Sequence, residues 1–261
     1  MPLRILWRWL QQKENLMLNR WMIICILFIL HSNLYANTAK TKTFDAVLFD
    51  KNITLPLLDG YQHITPHSDA KFFELFDILE RVPKHSNIAF LINNKDYMKI
   101  LLGTTENQLS SYFSFRQMDA LKNRKVSLQT LKRLSTVMEI SYQRLLKSNL
   151  MKDELEKHHR KHNKEMSKAL DSNITMNTKT IKPLNFIKRD KSFSISMQIH
   201  STVQDNNKTL EIQTLSISTV VYYQNSILSI ASFTPLDTNV SIKDIQKEKE
   251  QQIDNYLKLF K

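Results

Sequence analysis

Apolar and polar side chains alternate most clearly in the last third of the chain. In SFSISMQI, residues 192–199, each polar side chain is followed by an apolar one, and this period of two predicts a β-strand with one solvated face. A second strand is predicted over Leu210–Tyr223, where a slip in the alternation near Thr214 indicates a bulge. Gln224–Asn225 predicts a turn into a third strand, Ser226–Phe233. This region therefore predicts an antiparallel three-strand meander.

Shorter apolar runs predict further strands nearer the N-terminus. Residues Ala46–Leu58 predict one or two strands, closed by the turn signal Asp59–Gly60. Asn87–Ile92 and Ser111–Met118 each predict another strand, and Asp96–Leu102 predicts a helical turn between them.

Three helices are predicted from apolar residues that recur every three or four positions. The first follows the N-cap candidate Ser68 and ends before Pro83, and the second begins near Ser127. The third begins at a variant capping box, Ser241–Asp244. The three apolar stripes are Phe72, Leu75, Phe76, Leu79 and Val82; Leu128, Leu131, Leu134, Met138, Tyr142, Leu145 and Leu146; and Ile245, Ile253, Tyr256, Leu257 and Phe260.

The middle helix is predicted to leave the core near Met151, because charged residues dominate Lys152–Ala169. It either projects into solvent or frays into a polar linker over Asp171–Pro183. The fold class predicted is α+β: an antiparallel sheet, made of the meander and the earlier strands, covered by helices as an α/β sandwich with a long charged middle helix. A single domain is predicted over 46–261, with a polar charged insertion at about 152–183.

The N-terminal part of the chain predicts export. Trp21–Leu30 is a run of ten uncharged, apolar residues, whereas a membrane-spanning helix needs about 20 and a signal-peptide core only about 7–15. Arg20 supplies the positive charge before this run, and Ala36 is a small residue before the predicted cut at Ala36/Asn37. Residues 1–36 are therefore predicted to be a signal peptide, followed by a flexible leader over 37–45.

Two alternatives for this segment stay open. Translation that starts at Met17 would give a shorter signal peptide of ordinary length. An uncleaved signal would instead hold the protein at the membrane surface. Cleavage predicts a periplasmic or secreted protein that does not span the membrane.

Composition excludes several kinds of chemistry from the mature chain. The only cysteine, Cys25, lies within the predicted signal, which leaves no disulfide, thiol nucleophile or thiolate ligand. The two glycines, Gly60 and Gly103, are too few and too far apart for a phosphate-binding loop, so no nucleotide is expected. The net charge of +12 permits an anionic partner, although a lysine-rich composition with interleaved acidic residues is the simpler explanation.

The order of elements resembles a known group of exported domains. An early strand runs into LPLLDGYQHI, helices follow, and then come SFSISMQI, a hairpin around VVYYQNSILSIASFT and a closing helix. Over about Asn52–Lys261 this order is similar to that of PsbP-like and DcrB-like domains. The resemblance implies a non-catalytic accessory or envelope protein, with no catalytic residues to transfer.

One group of residues suggests metal binding. Glu154, His158 and His162 recur every four residues and would line one face of a helix, where they could hold zinc or copper. Four neighbouring basic residues oppose a cation there, and a solvated charged helix is the simpler interpretation. The same basic segment, with histidines near their titration point, would alternatively bind an anionic surface at acidic pH.

Polar residues on the first strand of the meander raise the alternative of a hydrolase. Ser194, Ser196, Gln198 and His200 are predicted to share its solvated face. A serine and a histidine six residues apart on a strand lie about 20 Å apart, too far for a nucleophile and its base. The polar face of a strand is the simpler interpretation.

Two further clusters have simple structural interpretations. His63 and His67, with Asp59 and Asp69 nearby, are predicted to form a loop cluster with weak ligand potential. A run of aromatic and basic residues resembles a single-strand nucleic-acid surface, but alternating aromatics on a strand usually enter the core, and export disfavours nucleic acid as a partner. The residues of this run are Tyr112, Phe113, Phe115, Arg116, Lys122, Arg124 and Lys125.

These features predict an exported, non-catalytic accessory or binding protein of the bacterial cell envelope or the secreted fraction. Its expected partner is a protein or an envelope component, bound through a sheet face or the basic middle segment. No cofactor is predicted. The alternatives are a secreted hydrolase with a dispersed active site and a weak metal- or anion-binding protein acting through the histidine helix.

Overall fold

A computed structural model describes residues 42–80, 82, 84–101, 110–122, 124, 126–146, 163, 174–205, 208–237 and 240–260. One compact unit spans Lys42–Lys261. Among the helices in these ranges, none is long and apolar enough to cross a bilayer.

Nine strands and four helices make up the described structure. The strands are β1 Thr43–Leu48, β2 Lys51–Pro56, β3 Tyr61–Ile64, β4 His85–Asn93, β5 Tyr112–Met118, β6 Ile174–Arg189, β7 Ser192–Asp205, β8 Lys208–Tyr223 and β9 Ser226–Pro235. The helices are α1 Ala70–Leu79, α2 Asn94–Leu101, α3 Leu128–Leu145 and α4 Ile242–Leu257, with a short 3-10 turn at Asp119–Leu121.

The strands form one large antiparallel sheet and one small hairpin. The large sheet has the order β3-β4-β5-β9-β8-β7-β6, and every neighbouring pair is antiparallel. After β5 the chain passes to the far edge of the sheet at β6 and returns strand by strand to β9, which pairs with β5. Strands β1 and β2 pair only with each other. The predicted antiparallel sheet, with helices covering it, is confirmed.

One face of the sheet carries the main core, and we call it the hairpin face. The β1–β2 hairpin and α4 pack on it, around the buried rings of Phe113, Phe115 and Tyr256. Tyr256 also donates a hydrogen bond of 2.7 Å to the carbonyl of Pro56 at the end of β2. The predicted apolar face of the C-terminal helix is therefore confirmed, and it joins the hairpin to the sheet.

The opposite face, which we call the helix face, carries two smaller cores. Helix α1 packs on β3 and β4 through Phe76, against Phe90 and Ile64. Helix α3 packs on the other half of the sheet, where Leu131 contacts Phe193 of β7. Because the two sets of alternating side chains on each central strand are both covered, the centre of the sheet is buried on both sides.

Strands β6, β7 and β8 extend beyond the end of β9. β8 pairs with β9 only from Thr214 onwards, so residues 208–213 have a strand neighbour on the β7 side alone. We call the three-stranded extension formed by residues 174–182, 198–205 and 208–213 the arm. On the side that continues the helix face it presents Met176, Ile181, Ile199, Val203, Leu210 and Ile212, as the strand register requires.

The bulge predicted near Thr214 is wrong. Strand β8 pairs with β7 along its length without a register shift. The slip arises because Leu210 and Ile212 lie on the helix-face side, whereas Leu215 and Ile217 lie on the hairpin face, where the main core begins. When the buried face of a strand changes partway along it, the apolar residues switch sides. The alternation of apolar and polar residues then slips although no residue is inserted.

The polar linker predicted over Asp171–Pro183 is wrong from Ile174 onwards, since β6 begins there. The strand holds because its backbone pairs with β7, which does not require apolar side chains. The flexible leader predicted over 37–45 is likewise wrong from Thr43, where β1 begins. Residues 1–36, the rest of the leader and the charged stretch 152–162 and 164–169 lie outside the described residues.

The predicted N-cap residue is correct for two of the three helices, α3 and α4. Ser127 caps α3 as expected, with a reciprocal capping box to Thr130. Helix α1 is capped by Asp69 and not by Ser68, whose hydroxyl instead bonds within the preceding turn. Ser241 precedes α4, but its side chain makes no capping hydrogen bond.

Candidate functional site

A buried polar network on the helix face brings together three titratable side chains, those of Glu80, Tyr112 and Arg116. Glu80, at the end of α1, accepts hydrogen bonds from the Tyr112 hydroxyl and from Arg116 Nη2, the latter at 2.8 Å. Asn87 Oδ1 accepts from Arg116 Nε at 3.1 Å, and its amide donates to Asp77 at 2.9 Å. The network therefore ties both ends of a helix-to-strand connection to β5.

Burial dominates the electrostatics of this network. The side chains of Arg116 and Glu80 are 9% and 15% exposed. Burial raises the pKa of Glu80, although the adjacent Arg116 guanidinium opposes that shift. The pKa of Tyr112 is raised by burial and by the Glu80 carboxylate, and burial lowers the pKa of Arg116. Since these groups satisfy one another inside the fold, the network is a structural clamp and not an open reaction site.

The polar face of the arm, on the side of the hairpin face, is the candidate binding site. The register places polar side chains from all three strands there in rows, and most are exposed. They alternate along each strand with the apolar set on the opposite side. The polar residues are Thr175, Asn177, Lys179, Thr180, Lys182, Gln198, His200, Thr202, Gln204, Thr209, Glu211 and Gln213.

Cross-strand contacts order part of this polar face. Glu211 of β8 pairs with Lys179 of β6 and lies 3.4 Å from His200 Nε2 of β7. Gln198 donates to Gln213 at 3.1 Å on the neighbouring row. The hydrogen bond and charge of Lys179 lower the pKa of Glu211. Lys179 itself lies in a β-bulge of β6, between the register positions of its two neighbours.

The spacing of this surface suits an extended partner. Rows along a strand repeat about every 6.5–7 Å, and strands lie about 4.8 Å apart. The side-chain amides and hydroxyls both donate and accept hydrogen bonds, so the surface is a lattice of neutral polar groups with a few charges. Within the part of the chain that the structure describes, no three histidine, cysteine, aspartate or glutamate side chains converge as metal ligands.

A cleft of about 180 Å³ lies between α3 and the β6–β7 turn, lined in part by Leu131, Ser135, Lys188 and Ser192. Lys188 is already paired with Glu139. Drug-sized ligands occupy pockets of about 300–1,000 Å³, so the cleft is smaller than the pockets that hold such ligands.

The solvated face predicted for the first strand of the meander is wrong near its start. Ser194 and Ser196 are 1% and 0% exposed, because α4 covers them. Ser196 donates to Glu250 at 2.7 Å, and Ser194 shares a 2.8 Å bond with Thr219. Ser196 therefore anchors the C-terminal helix and Ser194 joins β7 to β8, whereas His200 lies farther out on the arm.

The structure separates the loop cluster predicted around His63. His63 lies within β3 and stacks on Phe44, with ring centroids 5.1 Å apart, and burial lowers its pKa. Asp69 accepts the amide of Phe72 as the cap of α1. These residues stabilise local structure and do not converge with His67 on one point.

The aromatic and basic run around β5 is also divided. Phe113 and Phe115 are fully buried in the core, Arg116 belongs to the buried network, and Lys122 pairs with Asp50 at 3.3 Å. Stacking on single-stranded bases needs exposed rings, and these two rings are not exposed.

The predicted metal ligands Glu154, His158 and His162, and the predicted cleavage site Ala36/Asn37, lie outside the described residues. They remain predictions from the sequence.

Comparison with known proteins gives no relative from which to transfer a role. No family model, no curated protein and no solved structure matches the chain.

Sequence reasoning missed both the clamp and the polar face. Tyr112, Ser114 and Arg116 alternate with two core phenylalanines, a signal that both faces of β5 are buried and that the arginine needs an internal acid. Nothing local identifies Glu80 as that acid, since it lies 36 residues earlier in the chain. The composition of residues 174–182 predicts a polar linker, so the sequence does not reveal that they form one strand of the polar face.

Proposed function

We propose that the protein is an exported, non-catalytic binding protein that engages a protein or an envelope component through the polar face of the arm. The observation that carries this proposal is the largely exposed polar surface that three long strands present beyond the end of β9. Long strands of this kind hold their side chains at set spacings, so they suit a partner with repeated hydrogen-bonding groups.

Charge favours a partner with some anionic groups. Lys179 is neutralised by Glu211, whereas Lys182 forms no ion pair within the described part of the chain and is exposed on the outermost strand. The whole chain has a net charge of +12, which attracts anionic partners at long range. An anionic envelope surface or an acidic protein segment therefore fits better than a cationic partner.

We further propose an exported location and a relation to a family of exported domains. The short apolar run Trp21–Leu30 supports a cleaved signal and a periplasmic or secreted location. The PsbP-like and DcrB-like resemblance is supported by an antiparallel sheet with helices on both faces and by a closing helix. The long charged middle helix expected to continue α3 is part of the same proposal, although residues 152–162 and 164–169 lie outside the described structure.

We propose no cofactor, and zinc or copper at Glu154, His158 and His162 stays a separate proposal. The alternative of a hydrolase gains no support from Ser194 and Ser196, because both hydroxyls are buried beneath α4.

Site-directed photocrosslinking in the producing cells tests the binding proposal. A photoreactive residue at Asn177 or Gln204, both exposed on the polar face, is expected to give one shared adduct. The matched control positions are Gln129 on α3 and Asp45 on β1, which are exposed elsewhere. Adducts of equal yield at all four positions, or none from the arm, would contradict the proposal.

Cell fractionation with N-terminal sequencing tests export separately. The expected result is a periplasmic or secreted chain that begins at Asn37. An intact chain in the cytosol would contradict export, whatever the arm binds.

A further inference from the structure

Strand β6 is the outer strand of the large sheet, and an outer strand can pair with another chain. Natural proteins prevent such pairing with bulges, prolines and charged side chains along the edge.

Most of β6 carries these protective features. Register shifts interrupt it between Thr178 and Thr180 and between Pro183 and Asn185. A proline stands at the second shift, and the basic side chains Lys179, Lys182, Lys188 and Arg189 lie along the same part. Residues 179–189 are consequently poor partners for a flat, regular strand pairing.

The first five residues of β6 have none of these features. Residues 174–178 read ITMNT, with no charge, proline or register shift. A short, uncharged segment rich in β-branched residues readily adds to another strand.

Asn163 covers the central residue of this segment. Its Oδ1 accepts from the backbone N–H of Met176 at 2.9 Å, and its Nδ2 donates to the Met176 carbonyl, also at 2.9 Å. A single side chain therefore satisfies both backbone groups that Met176 directs away from β7.

The geometry points to a second copy of this chain as the occupant of the same edge. In an antiparallel pair centred on a two-fold axis, Met176 would face Met176 of the second copy and exchange both backbone hydrogen bonds with it. ITMNT is uncharged, so the two copies would not repel each other there. We propose that residues 174–178 form a strand-pairing site for a second copy and that Asn163 occupies this site in the monomer. This inference is independent of the partner proposed for the polar face.

The test removes the Asn163 amide and follows the oligomeric state of the full chain. Asn163→Ala is expected to raise the dimer fraction, measured by light scattering across a concentration series, by about tenfold, as loss of two hydrogen bonds would allow. Gln129→Ala, at an exposed position of α3 away from the arm, is the control and is expected to leave the mass unchanged.

Cysteine crosslinking identifies the pairing register. In a Cys25→Ser background, Met176→Cys is expected to form an intermolecular disulfide when combined with Asn163→Ala, because directly opposed residues of a hydrogen-bonded pair lie about 5.5 Å apart, within disulfide range. Asp190→Cys, in the exposed turn after β6, is expected not to crosslink. Far-UV circular dichroism verifies that each variant is folded.

Two outcomes would overturn the inference: a folded Asn163→Ala chain that stays monomeric, or a dimer that crosslinks through Asp190→Cys as well as through Met176→Cys. If Asn163→Ala does not fold, Asn163→Asp replaces it, because the carboxylate keeps the acceptor for Met176 N–H but loses the donor. A smaller rise in dimer is then expected, and no rise overturns the inference.

Discussion

Replacing Glu80 with leucine is expected to destabilise the protein by about 4 kcal/mol. The change leaves the Arg116 guanidinium, whose side chain is 9% exposed, without its acid, and an unpaired buried charge costs about 3–5 kcal/mol. It also leaves the Tyr112 hydroxyl without its acceptor, which costs about 1–3 kcal/mol when counted alone. The two losses share one carboxylate, so they do not add fully.

Replacing Arg116 with leucine is expected to have a pH-dependent effect. Burial already raises the pKa of Glu80, and loss of the guanidinium raises it further. A carboxyl with a raised pKa in the folded state is most stabilising below its unfolded pKa of about 4.3, and this contribution is lost as pH rises through the folded pKa. The Arg116→Leu protein is therefore expected to be more stable near pH 5 than near pH 8, relative to wild type.

The Glu80→Leu protein provides the contrast, because the remaining guanidinium cannot lose its proton to escape the penalty. Its deficit relative to wild type is expected to vary much less with pH. The double variant, Glu80→Leu with Arg116→Leu, is expected to recover about 2 kcal/mol or more compared with the sum of the two single changes, since neither unpaired charge remains.

Urea denaturation at pH 5 and pH 8 measures all of these quantities in one series. The control is the exposed pair Lys188 and Glu139, whose side chains are 46% and 40% exposed and whose coupling is expected to stay below about 1 kcal/mol. Additive single changes at Glu80 and Arg116, or a pH response that is the same in both single variants, would refute the account of a buried ion pair.

Three smaller predictions concern other parts of the fold. Gln224 and Asn225 both have positive φ angles, 47° and 60°, a conformation that Asn and Gly adopt more easily. Replacing Gln224 with Asn and Asn225 with Gly is therefore expected to stabilise the β8–β9 hairpin by about 0.5–1 kcal/mol in thermal unfolding. A lower midpoint temperature of unfolding would contradict this. Tyr256→Phe removes the 2.7 Å bond to Pro56 and is expected to cost about 1–2 kcal/mol in urea, whereas an unchanged midpoint would mean the carbonyl finds another donor. His63 is expected to titrate below the ordinary histidine value by NMR, because burial lowers its pKa; stability is then lost as pH falls through about 6.5, and His63→Gln should remove that loss.

Much of the local structure follows from the sequence itself. The alternation in residues 192–199 predicts a strand because side chains on a strand point to opposite faces in turn. The stripe that includes Leu131 and Tyr142 predicts α3, and Ser127 predicts its start, because capping depends on residues only three positions apart. Local spacing decides these elements, so they can be recognised without a partner.

Tertiary structure decides which predicted surfaces face solvent. Ser194 and Ser196 have the pattern of a wet face, yet α4 buries them, and the helix comes from residues about 50 positions later. Residues 174–183 have the composition of a linker, yet pairing with β7 makes them a strand. Burial and backbone pairing both depend on distant segments.

The buried network of Glu80, Tyr112 and Arg116 also depends on segments that are distant in the chain. The sequence determined that Arg116 lies on a strand directly after two alternating core phenylalanines, Phe113 and Phe115. Only the fold decided that Glu80 reaches it, because the end of α1 and the middle of β5 meet through packing on the sheet. A charge that is removed from water needs an ion-pair or hydrogen-bond partner inside the fold. The order of residues along the chain does not show which distant residue will lie next to it.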